Sequence, residues 1–374
     1  MRLLSLIIIV SALAIVVARW AGDRRTSAAP VNPVFPTRQL QIKGPGNTLA
    51  SVAQQVNDPK TLEYDPITRT AVAHVTLVVG GELQLGDPND PAAGEVLEMA
   101  TELCGDLRIK VQPGGKLRLY NSIVRTVSQQ LSQGVCSRGY ALFVDGTLEM
   151  IDSELNYISG SSSECLRGDA EATIRRSTFM YCDGSALTLV DVDGSRILVD
   201  ESSFLGAGNW GVVVQGSGGE PVLIRNSLLE GKLGSVFVTG ESAQVRLVDC
   251  TLGTGGIVFN GHSGAVETCW TRFVKVVHPQ TGAPVAGVKV RAQSDPRAPV
   301  AVLVEATTDD QGMAELVLPE YIARPGEASK EPGRNTAGPL RISVVAADDR
   351  EDTPSQTVLV SGKDATPIEL AVAF

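Results

Sequence analysis

Short stretches of alternating apolar and polar residues fill the middle of the chain, and they recur at a nearly fixed interval. ILVDESSF at 197–204 returns 25 residues on as VLIRNSLL and 25 residues earlier as ATIRRSTF, and KLRLYNSIV, TLEMIDSEL and QVRLVDCTL extend the set. Each copy carries an anchor Ser or Cys, then one free position, then Phe, Leu or Val. The anchors are Ser122, Ser153, Ser177, Ser202, Ser227 and Cys250, separated by 31, 24, 25, 25 and 23 residues. A period in the twenties marks a stacked repeat, in which each coil covers the apolar face of the next. Alternation of period two places Leu119, Met150, Ile174, Val199, Ile224 and Leu247 on one inward face. It places Val124, Leu155, Phe179, Phe204, Leu229 and Leu252 past a corner.

The elements follow from the same pattern. HVTLVVGGELQL at 74–85 and DLRIKVQPGGKLRL at 106–119 each read as strand, Gly-Gly turn, strand, and no long helical period interrupts the region up to Arg272. NTLASVAQQV at 47–56 is the exception: Asn47 is placed to cap a short helix whose Leu49, Val52 and Val56 share a face. Such a helix covers the open end of the stack. Residues 22–44, with Pro30, Pro33 and Pro36, read as an extended linker. The expected organisation is a segment 1–21, the linker 22–44, a repeat body 45–272 and a C-terminal part 273–374.

Charge and composition narrow the function classes. A formal net charge of −10 with no basic block offers nothing to neutralise phosphates, which argues against nucleic acid. Three histidines leave little material for imidazole chemistry. Residues 3–17 form an apolar run behind Arg2, the length of a signal-peptide core, with Arg19, Arg24 and Arg25 following. It reads as a cleaved signal peptide or as a retained signal anchor, and either way the body is exported. Oxidising surroundings would let six cysteines bridge. Cys250 with Cys269, which falls at the anchor one coil later, Cys165 with Cys182, and Cys104 with Cys136 are the candidate pairs. No C-x-x-C spacing or histidine set points to zinc.

The repeats resemble a right-handed parallel β-helix of the pectin-lyase type, over somewhat more than half of the chain. From Phe273 on, VKVVHPQTGAPVAGVKVRAQ, TTDDQGMAELVLP and LRISVVAADD resemble a carboxypeptidase-regulatory or collagen-adhesin-like module, on Gly282, Pro284, Ala286-Gly287 and Asp310-Gln311-Gly312. The two resemblances imply an all-β chain: a β-helix with an N-terminal cap helix, then a small immunoglobulin-like or prealbumin-like sandwich acting as stalk or spacer. Enzymes of the first family hold calcium or activate water with clustered aspartates. Here Asp152, Asp200, Glu201 and Asp249 lie on separate repeats, and GHSG at 261–264 and RIK at 108–110 stand in reversed order without the aspartate motifs.

One constellation stands out. Two residues before three successive anchors lie Arg175, Asp200 and Arg225. Stacking sets them one above another, about 5 Å apart, on the outer face. Tyr120 continues that column, and Arg118, Glu149 and Arg246 belong to the adjacent one. Paired arginines suit the carboxylate or sulfate of an acidic glycan, while an ion-pair ladder that only sets register is the plain structural alternative. Glu149 with Asp200 or Glu201 is the one carboxylate pair nominated for catalysis. Trp210 and Trp270, with Tyr120, Tyr157 and Tyr181, are candidate sugar-stacking platforms. The sequence points first to non-catalytic binding of a polysaccharide or envelope component, then to a polysaccharide lyase or glycoside hydrolase, then to a structural adhesin. No cofactor is expected except calcium, for which Asp309-Asp310 offers carboxylates.

Overall fold

The computed structural model describes residues 38–101, 107–127, 139–156, 158, 165–182, 184–326, 333–345 and 355–372. The N-terminal segment, the start of the linker, Cys104, Cys136 and Tyr157 lie outside them. Within them the chain is nearly all-β, with long parallel sheets. Along the repeats consecutive strands do not pair, apart from the antiparallel hairpin of Leu62–Asp65 with Thr70–Ala73. The chain visits three sheets in turn, so that each strand bonds to the strand one circuit earlier and one circuit later. Two of these sheets have nine strands and the third has twelve. This arrangement is compatible with a solenoid, and it suits strands too short to bury an apolar face alone.

The register matches the period of the sequence. Leu119 pairs with Met150, Met150 with Ile174, Ile174 with Val199, Val199 with Ile224, and Ile224 with Leu247. Past the corner, Phe179 stacks on Phe204 with ring centroids 4.9 Å apart. All of these side chains are buried in one continuous core.

The corner explains why the anchor is Ser. Its hydroxyl donates to the carbonyl two residues back, as in Ser177 to Arg175 (2.7 Å) and Ser202 to Asp200 (2.7 Å). It accepts the backbone N–H of the anchor one coil earlier: Ser122 from Glu95, Ser153 from Ser122, Ser177 from Ser153, Ser202 from Ser177 and Ser227 from Ser202, at 3.0–3.2 Å. The chain turns at the preceding residue, which is left-handed in every copy: Asn121, Asp152, Arg176, Glu201, Asn226 and Asp249 have φ between 46° and 53°. Four of the six are Asn or Asp, the non-glycine residues that tolerate this conformation best. The turns before the third sheet need glycine for a different reason. A Cβ at Gly81 or Gly115 would stand 2.2 Å from the backbone oxygen of Gly44 or Val79 in the coil below.

The helix spans Leu49–Val56 and buries Leu49 and Val52 in the main core. Its cap is Thr48 rather than Asn47. The Thr48 hydroxyl accepts from the Ser51 N–H, and the Ser51 hydroxyl accepts from the Thr48 N–H. Asn47 is occupied instead in joining coils, its amide donating to the carbonyls of Lys43, Gly44 and Glu82.

The last coil does not turn. Ala265–Val277 begins as a parallel partner of Gln244–Val248 and continues straight, pairing antiparallel with Met313–Arg324 along ten positions. The far halves of these two strands face a second core, built with the four-stranded antiparallel sheet of Lys289–Ser294, Leu303–Thr307, Pro339–Val345 and Ser355–Leu359. Two cores thus share one long strand. The polar stretch 323–338 is partly a hairpin, since Gly333–Thr336 pairs with residues 321–324. The DDQG turn places Gly312 at φ 71°.

Candidate functional site

The outer face of the third sheet carries the predicted columns in the predicted register. Arg175 stands beside Asp200 and Asp200 beside Arg225. In the adjacent column Arg118 stands beside Glu149, and Arg246 beside Leu223 and Glu267.

These charges are used unequally. Arg118 bridges two carboxylates, Glu82 and Glu149, the latter at 3.3 Å. Tyr120 is buried and hydrogen-bonds Glu149; burial first, then that carboxylate, push its hydroxyl up to about 12. It is therefore a packed part of this network and not an open platform. Arg246 binds Glu267. Arg225 donates through Nη2 to Asp200 at 2.9 Å, and the Asn226 amide donates to the other Asp200 oxygen at 3.1 Å. Burial alone would raise the Asp200 carboxyl. The two hydrogen bonds and the charges of Arg225 and Arg175 outweigh it and hold the group below its usual range. Asp152 is held low by the bidentate Arg176 guanidinium.

Arg175 is the odd member. It is half-buried, its Nε, like that of Arg225, is buried without a hydrogen-bond partner, and among the described residues its guanidinium, unlike that of Arg225, makes no ion pair. Asp200 lies next to it but is turned to Arg225 and Asn226.

Glu149 and Asp200 are not brought together. The strand Glu171–Arg175 separates them, about two strand spacings or 9–10 Å along the stack, and each faces an arginine. Glu201 sits exposed on the left-handed corner. Among the described residues no group of three or more His, Cys, Asp or Glu could hold a metal ion. Asp309 is committed to its own turn, accepting the N–H groups of Gln311 and Met313.

The cysteines correct the expected bridging. Cys165, Cys182, Cys250 and Cys269 are buried thiols, none in a disulfide. Cys269 is opposite Val248 rather than Cys250, because its strand runs straight through where a corner would have placed an anchor. Cys250 takes the serine role, its Sγ 3.4 Å from the Val248 carbonyl. Burial pushes its thiol up to about 12 and that of Cys165 to about 11, so both stay protonated. Of the aromatics, Trp210 stacks on Phe237 at 4.6 Å, Trp270 donates to Glu320, and Tyr181 is exposed.

No protein-family model matches this chain, and no match to it is found among curated proteins or solved structures.

The left-handed corner and its serine ladder are what sequence reasoning missed. The signal was available: Asn or Asp directly before the anchor in four of six copies.

Proposed function

We propose that the chain is an exported right-handed parallel β-helix of the pectin-lyase type followed by a small β-sandwich. In this reading it binds an acidic polysaccharide or similar acidic envelope component along the outer face of the third sheet, without cleaving it. The observation that carries it is Arg175, a cation without a carboxylate partner in a column whose other charges are matched. A half-buried guanidinium keeps its bidentate geometry and is worth more to a carboxylate or sulfate than one in open water. The non-catalytic part of the reading is supported by Glu149 and Asp200, which are held apart and tied to arginines instead of converging on one bond.

The test is co-sedimentation of the full chain with acidic and neutral polysaccharides, with and without calcium, while ultraviolet absorbance and reducing ends report cleavage. Binding to acidic polymers that weakens about tenfold in Arg175→Ala, without product, supports the reading. Unsaturated or newly reducing product that disappears in the same variant would replace it with a lyase or hydrolase. Absence of binding leaves a structural rod.

A further inference from the structure

Beyond Arg225 the outer face of the third sheet meets a pocket of about 480 Å³. That volume is within the range of small-ligand sites and has room for one or two sugar rings. Its lining combines apolar Leu223, Val248 and Phe273 with three cations, Arg225, Arg246 and Lys363. One wall is the segment Lys363–Ala365, and it is fixed in place. The buried guanidinium of Arg272, 4% exposed, donates to the carbonyls of Asp364 (2.7 Å) and Gly362 (2.8 Å). The pocket is thus preformed, which lowers the ordering cost of filling it.

The lining charges are not equally occupied. Arg246 is taken by Glu267, and Asp249 accepts from the Thr271 N–H and hydroxyl. Asp364 accepts the Thr366 N–H. Arg225 uses only Nη2 on Asp200, and among the described residues neither Lys363 nor Glu315 has an ion-pair partner. What remains open is a cation, part of a guanidinium, one carboxylate and an apolar surface that includes an aromatic ring. A sugar unit with one carboxylate presents the complement: an anion, hydroxyl donors and an apolar ring face.

We infer that this pocket is a subsite for a single carboxylate-bearing sugar unit, with Lys363 and Arg225 taking the carboxylate, Glu315 accepting from ring hydroxyls and Phe273 covering the ring face. The inference rests on the reading of the outer face as an acidic-glycan site, and Arg225 belongs to both the ladder and the pocket. It adds a fixed point to an otherwise uniform face, so that the bound chain has a defined register.

The experiment is calorimetric titration of the full chain with a galacturonic acid hexamer and with a neutral hexamer of equal length. Lys363→Ala is expected to weaken the acidic hexamer about tenfold, Lys363→Arg to restore most of the affinity, and the neutral hexamer to bind poorly to all forms. Lys363 is exposed, so its variants fold normally. In parallel, the hexamer is expected to shield Lys363 from a lysine-acylating reagent, read by mass spectrometry. Unchanged affinity and unchanged acylation, with Arg175→Ala still weakened, would remove the pocket and keep the face. Failure of the wild-type chain to bind the acidic hexamer would overturn the face reading and the pocket with it.

Discussion

Two stretches of one face, built on the same repeat, treat their charges in opposite ways. Near the N-terminal end, Glu82, Arg118, Glu149 and Tyr120 form a closed network in which the arginine meets two carboxylates and the phenol is buried beneath them. A few coils on, Arg175, Asp200 and Arg225 stand in the same kind of column, yet the one carboxylate is taken by Arg225 and Asn226, and Arg175 is left over. Backbone, corner and core are common to both. The difference shows that stacking fixes where charges stand, while the balance of charges along a column decides whether they are consumed by the fold or kept for a partner.

The largest expected effect breaks what the two stretches share. Ser202→Ala and Ser122→Ala each leave a buried backbone N–H without its acceptor, and each should cost about 2 kcal/mol in denaturant unfolding. Unequal costs would mean that the corner ladder is not the common support. Next, Arg118→Ala removes the bridge between Glu82 and Glu149 and should cost about 1 kcal/mol, whereas Arg175→Ala should leave stability within about 0.5 kcal/mol of wild type. Equal losses would erase the distinction between consumed and spare charge.

Acid sharpens the comparison further. Asp200 and Asp152 have folded-state values below the usual carboxylate range, so between the two values the unfolded chain binds more protons. Their contribution is complete above about pH 4 and is lost as pH falls through the lower folded values. Asp200→Asn should therefore flatten the acid limb of a stability-against-pH curve, and a limb of unchanged slope would contradict the pairing. The smallest effect is on the corner. Glu201 is exposed at φ 49°, and Glu201→Gly should raise stability by about 0.5 kcal/mol, visible as a small rise in Tm.

Much of this was legible in the sequence, for identifiable reasons. The inner columns from Leu119 to Leu247 were readable because period two and a repeat of 24–25 residues act together, and a one-residue slip would have put every one of those side chains outside. The Arg–Asp–Arg column followed from the same register. Which arginine takes Asp200 did not follow, since the register sets Asp200 between both; Arg225 holds one Asp200 oxygen and Asn226, at the corner, the other. Cys269 was misplaced because its strand goes straight where all earlier coils turn. The cause is a partner strand, Met313–Arg324, about fifty residues further on. Thr48 displaced Asn47 as the helix cap because three carbonyls from two coils compete for the Asn47 amide.

The strand Ala265–Val277 has a mechanical consequence. Its ten paired positions with Met313–Arg324 run along its length, and Arg272 rivets the flanking segment at 362–364 to it. A pull along that strand loads those backbone bonds together in shear, instead of opening them one after another as in a zipper. The joint between the two cores then behaves as a stiff splice rather than a hinge, and tension applied at one core arrives at the other without slack.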